Sequence, residues 1–71
     1  MNFEKLFTLN KMELFLYLIV KEKPDTIMNI SNRYNTFFNI KELVVLAKGL
    51  LDANICHFDG DGKDAIFTPN F

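Results

Sequence analysis

Leu50-Leu51-Asp52-Ala53-Asn54-Ile55-Cys56-His57-Phe58 decides the fold, because the hydrophobic period changes inside it. Before Asn54 apolar residues recur at helical spacing, and after it they alternate in twos. Asparagine tolerates the left-handed backbone conformation that closes a helix, so Asn54 is the expected end of one. Residues 55–58 then read as a strand, Asp59-Gly60-Asp61-Gly62-Lys63 as turn chemistry, and Ala65-Ile66-Phe67-Thr68 as a returning strand stopped by Pro69. Two apolar runs joined by Asp-Gly pairs make a β-hairpin over 55–68.

Upstream of Asn54 lies the clearest amphipathic helix, expected over 40–53. Asn39-Ile40-Lys41-Glu42 has the capping-box form at its start. Ile40, Leu43, Val44, Ala47, Leu50 and Leu51 make the expected inner face, with Lys41, Glu42, Val45, Lys48, Gly49 and Asp52 opposite. Asn35 and Thr36 read as a turn. Before them a second helix over 26–35, capped by Asp25 or Thr26, sets Ile27, Ile30 and Tyr34 on one face.

A first helix is expected over 11–23. Asn10-Lys11-Met12-Glu13 forms another capping box, flanked by Leu9 and Leu14 at the staple positions. Pro24 stops it, and Lys21 and Lys23 complement the negative end of its dipole. Its middle, Leu14 to Val20, is apolar on every side, so several neighbours bury it or a second subunit shares it. Phe3, Leu6 and Phe7 make residues 1–8 a short helical turn or a packed arm.

With 71 residues the chain makes one domain, 1–71: the arm, a three-helix core over 11–53, and the hairpin. A domain this small needs a rich core, and 49% of its residues are hydrophobic, eight of them Phe. The single cysteine, Cys56, cannot close an internal disulfide, which points to a reducing, cytoplasmic setting. The longest apolar run has seven residues, well below the ~20 of a membrane span.

Catalytic and metal chemistry find no foothold in the pattern. Asp59-Gly60-Asp61-Gly62-Lys63-Asp64 resembles a calcium loop only at its start, since Lys63, Asp64 and Asn70 stand where an oxygen ligand, glycine and glutamate are needed. Cys56 and His57 are neighbours in a strand and point to opposite faces, so they cannot chelate one ion. Cys56 reads as a small buried group and His57 as half-exposed. No enzyme and no cofactor are expected.

The order helix, helix, turn, amphipathic helix, hairpin resembles the winged helix-turn-helix family over residues 9–68. The junction Leu50-Leu51-Asp52-Ala53-Asn54-Ile55 carries the likeness most clearly, and Asp-Gly-Asp-Gly-Lys stands where the family places its wing tip. The resemblance implies an α+β fold, mainly α, with a two-stranded wing. It also implies a small DNA-binding transcriptional regulator, of a size common in phages and plasmids, whose third helix enters the major groove of duplex DNA. On that pattern the DNA contacts are Arg33, Asn35, Thr36, Asn39, Lys41, Val45 and Lys48, with Lys63 on the wing. Asn39 is claimed twice, because the amide that would read adenine is also the helix cap. A homodimer through the first helix would match palindromic half-sites.

Charge argues the other way. The net charge is −1, Arg33 is the only arginine, and the wing sets Lys63 against Asp59, Asp61 and Asp64. Phosphate contacts supply most non-specific affinity and need cations. The alternative is a winged-helix module that binds a protein of a transcription or replication machine through Phe37, Phe38 and Val45. The two phenylalanines have a second reading, as a plug between the second and third helices.

Overall fold

The computed structural model describes residues 3–71, so positions 1 and 2 of the expected arm lie outside the described residues. A 3-10 helix over Phe3–Thr8 is followed by α1 (Lys11–Glu22), α2 (Ile27–Arg33) and α3 (Ile40–Asp52). Strands β1 (Cys56–Asp59) and β2 (Ile66–Pro69) close the chain, with a 3-10 turn at Gly62–Asp64 between them. The strands pair antiparallel, Cys56 opposite Pro69 and Phe58 opposite Phe67. Three helices and a hairpin give an α+β, mainly α, winged-helix layout.

The caps form as the residues dictate. Asn10 Oδ1 accepts from the Glu13 amide at 2.8 Å, and Glu13 accepts back from the Asn10 amide at 3.1 Å. Asn39 and Glu42 repeat the box at α3, at 2.8 and 3.3 Å. Thr26 is the α2 cap, its hydroxyl accepting from the Asn29 amide at 3.2 Å. That helix ends at Arg33 and not at 35, because the Tyr34 carbonyl turns to accept from the amides of Phe37 and Phe38.

At the decisive junction Asn54 has φ 60°, the left-handed conformation. Its amide donates to the Leu51 carbonyl and the Ile55 amide donates to the Leu50 carbonyl, each at 3.0 Å. This is the Schellman arrangement, and the fully buried pair Leu50 and Ile55 supplies its apolar contact. The chain thus leaves α3 already aimed along β1.

Leu16 and Val20 of α1, Ile30 of α2, Leu43 and Leu50 of α3, and Ile55 and Phe67 of the wing region are all fully buried. The wing is bound to this core at several points. The Phe67 amide donates to the Asp25 carbonyl at 2.8 Å, and the Tyr17 hydroxyl donates to the main-chain oxygen of Phe71 at 2.5 Å. An isolated hairpin would be marginal in water, and these contacts remove that problem. Asn70 donates to the Asn54 carbonyl at 2.7 Å and its Oδ1 lies against His57 Nδ1. His57 is exposed, beyond the half-exposure expected of it, while Cys56 is buried as expected.

One expectation about a helix face needs correction. The inner stripe of α3 is centred on Leu43, Ala47 and Leu50 with Leu46 beside it, so Ile40 and Val44 turn outward at 40% and 52% exposure. Helix α1 packs on the other flank of α3, with its Glu13 carboxylate beside Gly49. Helix α1, apolar on every side, takes the first of the two arrangements expected for it, burial by its neighbours. Leu16, Tyr17, Ile19 and Val20 are buried by the chain itself, leaving Leu18 and Met12 as its exposed apolar residues. That is a poor surface for the homodimer expected there. No helix among the described residues is long and apolar enough to cross a membrane.

Candidate functional site

The outward side of α3 and the adjoining strand β1 form the candidate site. On a helix, residues three, four and seven apart share a face, so Lys41, Val44, Val45 and Lys48 form one patch two turns long. All four are exposed. Val45 is 69% exposed, the largest value on α3 for an apolar side chain.

Grooves flank this ridge on both sides. One runs against α1 and is lined by Met12, Lys41, Glu42, Val45 and Leu46, with a volume of about 340 Å³. The other lies between α3, the start of α2 and the wing, lined by Ile27, Val44, Ala47, Lys48, Leu51 and Phe58. Lys48 is the one charged residue in this second groove. Here its lining is almost wholly apolar.

The DNA contacts expected from the sequence are scattered in kind. Asn35 and Thr36 are exposed in the turn before α3, Lys41, Val45 and Lys48 are exposed on its outer face, and Lys63 is exposed in the wing turn. Asn39 is committed to capping α3. Arg33 is held by Asp25 at 3.3 Å and lies 5.9 Å from the centre of the Tyr34 ring. Asp25 is in turn fixed by the Asn29 side chain at 2.9 Å and the Thr26 amide at 2.7 Å. These hydrogen bonds, Asn29 first, and the nearby Arg33 and Lys23 hold its carboxyl below the usual range.

Phe37 and Phe38 part company. Phe38 is 2% exposed and stacks on Phe15 with ring centres 5.6 Å apart, so it belongs to the core and cannot meet a partner. Phe37 is 56% exposed and touches Phe15 edge-on. Met12, Ile40, Val44 and Phe58 join the surface without having been expected there. Only Val44 had a signal, its place beside Val45 between two lysines. Phe58 falls on the inward side by strand alternation, yet it is 41% exposed because it rides over the Phe67 ring.

Burial pushes the Cys56 thiol up to about 12, which leaves it protonated and inert at neutral pH. Tyr17 is also raised, by burial first and by Cys56 second. Among the described residues no group of three His, Cys, Asp or Glu side chains is placed to hold a metal ion. No family model, curated protein or solved structure matches this chain.

Proposed function

We propose that the chain is a winged-helix protein-interaction module that docks a partner protein through the outer face of α3. The exposed Val44–Val45 ridge carries this reading: 52% and 69% exposed, it occupies the centre of the face that a DNA reader would line with polar and basic groups. The supply of cations supports it too. Arg33 is tied to Asp25, and the wing turn has one lysine among three aspartates. Desolvating exposed apolar surface favours a protein partner, whereas a major groove offers it little beyond thymine methyl groups.

A DNA-binding regulator is the second reading. It is favoured by one specific observation, that Asn35 and Thr36 stand exposed in the turn before α3 and Lys41 and Lys48 on its outer face. The two readings differ in salt dependence, since each phosphate that a protein neutralises steepens the fall of binding with salt by nearly one unit of slope.

The test pairs two measurements. Fluorescence anisotropy with mixed duplex fragments at low salt is expected to show no binding up to about 100 µM protein, a titration that spans the typical non-specific constants of ~10⁻⁶ to 10⁻⁴ M. A photo-crosslinking side chain at position 45 is expected to give a discrete protein adduct, abolished when Val44→Glu is added. Tight, steeply salt-dependent duplex binding, or crosslinks to nucleic acid alone, would overturn the protein reading.

A further inference from the structure

The order of residues along the outer face of α3 narrows the class of partner; this step rests on the protein-docking reading above. A helix turns about 100° and rises about 1.5 Å per residue. Lys41 and Lys48 therefore stand almost in line along α3, about 10.5 Å apart in rise. Val44 and Val45 fall between them, one on each side of that line. All four are exposed, and Ile40, 40% exposed, lies one turn before Val44. The face is an apolar floor with a cation at each end.

This chain does not pair those cations. Among the described residues neither Lys41 nor Lys48 meets a carboxylate within ion-pair distance. Glu42, beside Lys41, turns its carboxylate to the Asn39 amide at 3.3 Å, and Glu13 does the same for Asn10. Asp59 follows Phe58 in β1, so strand alternation sends it to the other side of the hairpin from the ring that lines the groove with Val44 and Lys48. Asp52, exposed one turn beyond Lys48, is the opposing charge that remains, at the far end of the helix.

The shape of the floor selects a helix. The rows Ile40–Val44–Lys48 and Lys41–Val45–Gly49 run side by side, and Ile40, Lys41, Val44 and Val45 line a furrow on this face. Paired rows of this kind accept a row of side chains from a second helix. The backbone groups in the middle of α3 are already bonded along the helix, so an extended segment would find no ladder to join. We infer that the partner segment is an acidic amphipathic helix, whose apolar stripe lies on Val44 and Val45 and whose carboxylates, two turns apart, meet Lys41 and Lys48.

The test titrates the isotope-labelled intact chain with short helical probe peptides, up to about 1 mM, and follows the backbone amides by NMR. The peptides share a central pair of leucines and differ only at two flanking positions seven residues apart, which carry Glu, Gln or Lys. The Glu peptide should shift the amides from Ile40 to Gly49 and bind at least ~10-fold more tightly than the Lys peptide, with a gap that narrows in salt. Lys41→Glu with Lys48→Glu should invert that order, and Asp52→Asn should tighten the Glu peptide. All three positions are exposed, and an unchanged circular dichroism spectrum confirms that each variant folds. Absence of α3 shifts with every peptide would overturn the inference, as would equal affinities or an order that the reversal leaves in place. A DNA duplex that displaces the Glu peptide from these amides would overturn it in favour of nucleic acid. If the peptides are not distinguished while position 45 still gives a discrete protein adduct, the docking reading stands and the acidic helix alone falls.

Discussion

Asp25 holds the guanidinium of Arg33 at 3.3 Å while its own backbone carbonyl receives the amide of Phe67. One residue in the α1–α2 connection thus fastens both the end of α2 and the wing.

Asp25 therefore has a pH signature. Its folded carboxyl titrates below the unfolded value of about 3.9, so its stabilisation is complete above that value and is lost as pH falls through the lower folded one. Asp25→Asn should cost about 1 kcal/mol at pH 7 from the weakened hydrogen bonds and the missing ion pair. Urea unfolding at a series of pH values should show the difference between the two proteins shrinking in acid. A constant difference down to pH 2 would contradict the assignment.

Asn54 tests the junction. With φ at 60°, Ala at this position meets the left-handed penalty, roughly 1–2 kcal/mol. Glycine carries no such penalty. Asn54→Ala should therefore lower the urea midpoint clearly more than Asn54→Gly, although both remove the side-chain hydrogen bond with Asn70.

Phe37 and Phe38 make a matched pair of adjacent, identical residues. Phe38→Ala removes a 2% exposed ring and should cost about 3–5 kcal/mol. Phe37→Ala removes a half-exposed ring with one edge-on contact and should cost about 1 kcal/mol. Thermal unfolding of the two variants separates these outcomes, and equal losses would refute the division.

Cys56 should resist a thiol reagent such as DTNB in the native protein at pH 8 and react at once in denaturant. Its thiol is both buried and shifted to about 12. Labelling then follows the opening of the structure, so the logarithm of the labelling rate should rise in proportion to a variant's loss of stability.

The local grammar of this fold is legible in the chain. Asn10 with Glu13, Asn39 with Glu42, and the Leu50–Ile55 junction each specify their geometry within six residues, so no tertiary information is needed. The rotation of α3 is not legible. Whether Ile40 and Val44 face in or out depends on which flank of α3 its neighbours cover, and the apolar period within the helix does not carry that. The same holds for Phe37 and Phe38, where the α2–α3 turn selects which ring enters the core. The Asp25, Asn29 and Arg33 cluster does carry a signal, a spacing of four and eight along one helical face, but the winged-helix pattern claims Arg33 for DNA. Asn70 lies beyond Pro69, outside any periodic segment, and its ties to Asn54 and His57 have no signal.

The hydrogen bond from Phe67 to Asp25 also governs how the molecule can move. It spans 42 positions and is anchored by a phenyl ring with no solvent exposure, so the wing cannot swing as a hinged flap. To open, the hairpin must withdraw that ring from between the helices, which amounts to unfolding the core. The Phe67 amide should accordingly exchange with solvent deuterium only through global opening, at the same rate as the amides of central α3. A ligand on the α3–wing face would meet a rigid cleft of constant width, and its binding should change the core's exchange rates without reshaping the cleft.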